Sequence, residues 1–230
     1  MNESTLPEVA LPQAGKGLYS VTPRMPLGRI TPDQLAIINS MVHDFRLPGV
    51  RVTAGQRLKI QGIPEDRVRE VIARLGPVGE FCKYYVQACP GTTACRMGMR
   101  DSMTMGERLE TFLNTVDLPC KLKCGVSGCS MCCTESFVRD VGLVGRKKGW
   151  TVLFGGNAGR RVRVADELAR DIPDGEALAA IAKALDFYAR EGKRNERTAR
   201  FVERVGIEAV RAAVAGERPA AVPIPMNTNG

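Results

Sequence analysis

The stretch CGVSGCSMCC, residues 124–133, places four of the chain's eight cysteines within ten positions. A chain of 230 residues can bury a core large enough to fold without disulfide staples. Thiols this dense therefore point to metal or redox chemistry rather than to a disulfide framework. His43 is the single histidine, so zinc sites that pair cysteines with two histidines, and haem held by two histidines, are hard to build here. Any bound metal is expected on thiolates.

Upstream, ACPGTTACRMGM at residues 88–99 supplies Cys89 and Cys95 in a C-x5-C spacing. Cys129 and Cys133 follow in a C-x3-C spacing after 33 intervening residues. Four thiolates can hold a [4Fe-4S] cluster, one sulfur per iron, and glycine-rich flanks let backbone amides approach its sulfides. Zinc held by four cysteines mostly uses pairs spaced C-x2-C to C-x4-C, so the first pair argues against it. Spacing alone leaves Cys120, Cys124 and Cys132 open as ligands, because Cys129 and Cys132 also form a C-x2-C pair. The residues define a four-thiolate site drawn from these two regions and no more.

Around the cysteines the chain alternates between helical and strand periodicity. TPDQLAIINSMVHDF (31–45) predicts a helix with Thr31 as N-cap, Pro32 at the first position, and Leu35, Ile38, Val42 and Phe45 on one face. GVRVTAGQRLKIQGI (49–63) alternates at Val50, Val52, Leu58 and Ile60 about an Ala54-Gly55 turn, which predicts a hairpin. PEDRVREVIARLG (64–76) returns to helical spacing through Val68, Val71, Ile72 and Leu75, with Gly76 as C-cap. Further on, GWTVLFGG (149–156) reads as a buried strand. A helix follows with Leu178, Ile181, Leu185 and Tyr188 on one face, then two more near 195–205 and 207–215. The fold class is α+β. Polar, proline-containing residues 1–16 and 216–230 read as tails, with folded regions at 17–76 and 77–215.

The formal charge of +8 suits an anionic ligand or an acidic partner. Aromatic residues make up only 5%, and no helix-turn-helix, zinc-finger or RNP-like pattern occurs, so nucleic acid is not expected. No stretch has the eighteen or so apolar residues of a membrane span, and the first residues carry no leader pattern. The expectation is a soluble, cytoplasmic protein.

ACPGTTACRMGM and VSGCSMCCTE (126–135) together resemble the cysteine signature of the sirohaem-dependent nitrite and sulfite reductases. VRVTAGQRLKIQGI (50–63) is similar to that family's R-x-T-x-x-Q strand pair, and LPCKLKCGVSGC (118–129) to its L-P-x-K-x-K approach to the second cysteine pair. FGGNAGRR (154–161) and ERTARFVERVG (196–206) resemble the later part of the bacterial sirohaem nitrite reductases. The resemblance covers about residues 17–215. It implies one nitrite/sulfite reductase repeat, a small ferredoxin-like-half module followed by a sirohaem and [4Fe-4S] domain.

By that resemblance Cys89, Cys95, Cys129 and Cys133 ligate the cluster, and the Cys133 sulfur is also the axial ligand of the sirohaem iron. Cys82, Cys120, Cys124 and Cys132 are then expected to be packing residues, Cys120 with a position close to the active face through its neighbour Lys121. Sirohaem carries eight carboxylates, so its pocket must supply fixed positive charge and hydrogen-bond donors. Arg51, Gln56, Asn157 and Arg160 are the candidates, with Arg57 and Arg161 as weaker ones. Lys121 and Lys123 leave the same face of an extended strand and, with Arg24, are the candidates for binding the substrate anion and relaying protons. The competing reading of the two lysines is an exposed edge strand.

The larger members of the family hold two copies of this unit, whereas this chain has one. Either a homodimer rebuilds the arrangement or one copy holds the whole site. The implied reaction is six-electron reduction of sulfite to sulfide, with nitrite to ammonia as the alternative; a non-catalytic electron-transfer or sirohaem-carrier protein is a third reading. GGNAG lacks the G-x-G-x-x-G spacing of a nicotinamide or flavin fold, so electrons are expected from an external donor such as an acidic ferredoxin.

Overall fold

A computed structural model describes residues 6–7, 9–13, 17–76 and 83–216, so the reading of Cys82 and most of both tails lies outside the described residues. The chain divides into two compact units, Met1–Cys82 and Lys83–Gly230.

The first unit contains β1 (Leu11–Pro12), β2 (Leu18–Val21), α1 (Pro32–Asp44), β3 (Val50–Val52), β4 (Leu58–Pro64) and α2 (Val68–Leu75). Its antiparallel sheet has the order β1-β2-β4-β3. β1 falls in the stretch read as a tail and pairs Leu11 with Ser20. The start of α1 follows from its capping box: Thr31 Oγ1 accepts from the Gln34 amide, and the Gln34 side chain accepts from the Thr31 amide. Val21, Ile38, Met41, Ile60, Ile63, Val68 and Val71 form the core between the helices and the sheet.

Three expected core positions lie outside. Leu35 is 53% exposed. The buried stripe runs through Ile38 and Met41, and at about 100° per residue Leu35 stands roughly 120° around the helix from Met41. Val50 and Val52 are also exposed, because β3 is an edge strand.

The second unit contains β5 (Tyr84–Ala88), α3 (Ser102–Leu113), β6 (Leu122–Ser127), β7 (Val141–Gly145), β8 (Trp150–Phe154), β9 (Asp166–Ile172), α4 (Asp174–Glu191), α5 (Thr198–Val205) and α6 (Ile207–Ala215). Its sheet runs in sequence order, with β5, β6 and β7 parallel and β8 and β9 added antiparallel. All of β8 is buried, as its apolar run implies. α4 buries Ile181, Leu185 and Tyr188 as expected; Leu178 stays at the margin while Ala177, Ala180 and Ala184 are buried. The small side chains let the helix backbone approach closely.

Parallel neighbours require crossover connections of about a dozen residues or more. Between β5 and β6 the crossover carries α3. Between β6 and β7 it is the segment 128–140, which holds Cys129, Cys132 and Cys133 and a 3-10 turn at Ser136–Val138 but no α-helix. Both cysteine pairs therefore follow the carboxyl ends of adjacent parallel strands, a common location for ligands in such sheets.

Candidate metal centre and basic face

The first cysteine loop leaves β5 at Cys89, whose amide donates to Val126 O on β6. The two loops are then laced together at one carbonyl: Gly128 O accepts from the Met99 and Arg100 amides at 2.8 and 3.0 Å. In return the Gly128 amide donates to Cys89 Sγ at 3.1 Å. Ser102 Oγ, at the start of α3, donates to Cys89 O. A Cβ on Gly128 would lie 2.6 Å from Gly91 Cα, and Gly91 itself adopts φ +56°. Only glycine permits this backbone contact, so the two pairs are brought together by main chain rather than by side-chain packing.

Cys89, Cys95, Cys129 and Cys133 are all free thiols. Desolvation pushes the Cys133 thiol up from its ordinary value, and the charges of Cys89, Cys129, Cys95 and Cys132 push it further. All four other thiols of the two loops are thus electrostatic neighbours of Cys133. Among the described residues no three of His, Cys, Asp and Glu gather tightly enough for one metal ion. Four thiolates on a single zinc would stand about 3.8 Å apart, given a zinc–sulfur bond of about 2.3 Å. A cubane places one iron at each corner and accepts a wider set of sulfurs. Thiols gathered on two laced loops, with the Gly128 amide directed at the Cys89 sulfur, fit an iron–sulfur core.

The remaining described cysteines occupy other surroundings. Cys124 lies in β6, wholly buried, and desolvation holds its thiol well above the ordinary range, so it packs as a small neutral hydrophobe. Cys132 packs against Val144, Leu153 and Ala165, while Cys133 is exposed. Cys120 sits beside Tyr188 and Arg197: its charge is among the causes that raise both, after desolvation in the tyrosine.

Lys121 is exposed immediately before β6, and Lys123 is half-buried within it. β6 is flanked by β5 and β7, so the lysines do not stand on an edge strand. They occupy the opposite end of β6 from the cysteines; Lys123 and Ser127 are about 13 Å apart at 3.3 Å per residue.

Asp140 links that end to a basic cavity. Its side chain is fully buried and accepts from the Lys123 amide at 2.8 Å, from Thr198 Oγ1 at 2.6 Å, and from both Nε and Nη2 of Arg197. Arg197 in turn lines a cavity of about 490 Å³ with Asn157, Arg160, Arg161, Arg200 and Glu203. Asn157 Nδ2 donates to Arg161 O, which shapes the GGNAGRR turn, and Arg161 pairs with Glu203. The structure therefore brings Asn157, Arg160 and Arg161 together. It adds Asp140, Arg197 and Arg200, which the sequence reading did not select; ERTARF had marked the segment of the two arginines but not their roles.

Arg24, Arg51, Gln56 and Arg57 belong to the first unit. Arg24 and Arg51 are exposed. Gln56 adopts φ +58° in the turn between β3 and β4. Its Oε1 is buried with no hydrogen-bond partner among the described residues. A buried, unsatisfied amide is costly unless something else binds there.

Thiols at the ends of parallel strands, and an arginine-lined cavity elsewhere in the same unit, fit a redox protein with an inorganic cluster and a site for anionic groups. Comparison with known proteins makes the assignment specific. Residues 11–78 match the nitrite/sulfite reductase ferredoxin-like half domain, and residues 81–222 match the nitrite and sulphite reductase 4Fe-4S domain. The chain belongs to the nitrite and sulfite reductase family, oxidoreductases whose cofactors are sirohaem and a [4Fe-4S] cluster. An assimilatory-type sulfite reductase of Nitratidesulfovibrio vulgaris is 42% identical over 91% of this chain and 98% of its own length. The large subunit of Escherichia coli nitrite reductase (NADH) is 35% identical over 88% of this chain, which spans 25% of that protein. The fold is shared with dissimilatory sulfite reductase I, at a TM-score of 0.73 and 13% identity over 93% of this chain and 72% of that one.

Proposed function

We propose that this chain is a small assimilatory-type sulfite reductase that converts sulfite to sulfide with six electrons and also accepts nitrite. The observation that carries this reading is that the loops bearing Cys89 and Cys95, and Cys129 and Cys133, follow the carboxyl ends of β5 and β6 and are tied together at Gly128. The likeness to a sulfite reductase along 98% of its length, against a quarter of a nitrite reductase subunit, favours sulfite. Nitrite reduction to ammonia is the second reading, supported by that subunit's 35% identity.

In this reading Cys89, Cys95, Cys129 and Cys133 would hold the cluster, and Cys133 would also serve the sirohaem. The bound cofactors supply one-electron steps and an iron site open to an anion. The protein's own groups bind and protonate. Arg51, Gln56, Asn157 and Arg160 meet the macrocycle's carboxylates and polar edges. Lys121 and Lys123 draw in the doubly charged sulfite, neutralise charge gathering on its oxygens and deliver protons as water leaves. Arg24 is the third anion contact. The Lys123 backbone is held by Asp140, which fixes the strand from which both ammonium groups project.

The folded regions 17–76 and 77–215 act as the half-domain and the cofactor domain. Reducing power arrives from an external one-electron carrier, an acidic ferredoxin by charge, in the cytoplasm. Neither nucleic acid nor membrane takes part, and a homodimer supplies the twofold arrangement of the larger enzymes. The test is anaerobic purification, followed by a visible spectrum, iron and acid-labile sulfide counts, and viologen-driven turnover with each anion. Sirohaem bands with sulfite turnover support the proposal. Cluster bands without sirohaem would leave an electron carrier, and a colourless zinc protein would refute it.

A further inference from the structure

Beneath the second cysteine pair lies a closed group of three hydroxyls that the reaction does not use. Ser127 is 1% exposed, Thr134 2% and Ser136 0%. Ser127 Oγ lies 2.7 Å from Thr134 Oγ1 and 2.9 Å from Ser136 Oγ, and the last two are 3.2 Å apart. The Thr134 amide donates to Ser127 Oγ, and Ser136 Oγ is within donating distance of Gly125 O on β6 and Leu143 O on β7. One proton orientation satisfies all three hydroxyls: Ser127 to Thr134, Thr134 to Ser136, and Ser136 to a strand carbonyl.

This group pins the segment just after Cys133 onto the sheet. A Cβ on Gly125 would lie 2.7 Å from Thr134 O, and one on Gly142 would lie 2.1 Å from Ser136 O. Residues 134–136 thus rest on bare backbone. Arg139, itself buried, closes the other side by donating from Nε to Thr134 O and from Nη2 to Glu135 Oε2. The loop so held is strained: Cys132 and Glu135, either side of Cys133–Thr134, both adopt left-handed φ, 54° and 57°. Non-glycine residues keep such angles only where surrounding contacts impose them.

We propose that Ser127, Thr134 and Ser136, backed by Arg139, are positioning residues that fix the Cys133 backbone and so govern how firmly the thiolate site keeps its iron–sulfur core. This rests on the reading of Cys133 as a cluster ligand. The test compares anaerobically purified wild type with Thr134→Val, which removes the hydroxyl at constant shape, Ser127→Ala, and the conservative Thr134→Ser. Phe187→Leu, in the aromatic contact between α4 and α5, serves as a destabilised control in the same unit. The readouts are the bleaching rate of cluster absorbance under an iron chelator and the electron paramagnetic resonance signal of the reduced cluster.

Thr134→Val and Ser127→Ala are expected to release iron about tenfold faster, the order seen when groups supporting a metal ligand are removed. Thr134→Ser should return to the wild-type rate, and Phe187→Leu should stay within about twofold of it. Wild-type release from Thr134→Val, or equally fast release from Phe187→Leu at the same loss of Tm, would overturn the inference. If Thr134→Val does not fold, Ser127→Ala against the same control decides. A wild-type chain that takes up no iron and sulfide would instead refute the functional reading, and the positioning role with it.

Discussion

Cys132 and Cys133 are neighbours in sequence yet part company in the fold, one packed against Val144 and Leu153 and the other exposed among the thiols. The left-handed turn at Cys132 separates them. Cys133→Ser is therefore expected to remove or strongly alter the sirohaem band, whereas Cys132→Ser leaves it nearly intact; anaerobic visible spectra of the two variants distinguish the roles. Asp140 invites a second substitution. It is a fully buried carboxylate whose charge is met by Arg197, so Asp140→Ala should cost about 3–5 kcal/mol in chemical denaturation. The two cysteine pairs stood out in the sequence because their spacing is unusual, although spacing alone left Cys120, Cys124 and Cys132 open as ligands. Asp140 was not, because its meaning lies in a partner 57 residues away.

Among the elements, the start of α1 could be read from Thr31, Pro32 and Gln34, since a capping box is written within four residues. The parallel order of β5, β6 and β7 could not. Strands buried on both faces lose the alternation that marks a strand, and their pairing is set by the crossovers. Those crossovers hold the site, so Gly128→Ala, whose Cβ would meet Gly91 Cα, should destabilise the unit by about 1–3 kcal/mol and lower cluster content. Thermal melting and iron analysis read the two effects.

The segment leading into α5 gives a pH prediction. Hydrogen bonding from Arg204 holds the Glu196 carboxyl below its usual value of 4.5, against the opposing effect of desolvation. A depressed folded-state pKa contributes stability that is present above pH 4.5 and disappears as pH falls through the folded value. Glu196→Gln should thus cost about 2 kcal/mol at pH 7 and progressively less as pH falls below 4.5, a convergence measurable by denaturation at a series of pH values.

At the scale of the whole molecule, the +8 charge gives a general attraction for anions, and Arg160, Arg197 and Arg200 gather part of it in one cavity. Substituting Lys123 with Ala is expected to reduce sulfite turnover about a hundredfold, while cluster and sirohaem bands persist; viologen-linked kinetics beside the spectrum check both. The charge was visible in the composition, whereas the cavity depends on a turn and a helix start some forty residues apart. A further consequence concerns tolerance to changes in chain length. Because the link from β6 to β7 also carries Cys129 and Cys133, a one-residue insertion between Ser127 and Val141 would shift a sulfur and a strand register together. Homologues in other organisms should accordingly agree in length across that link.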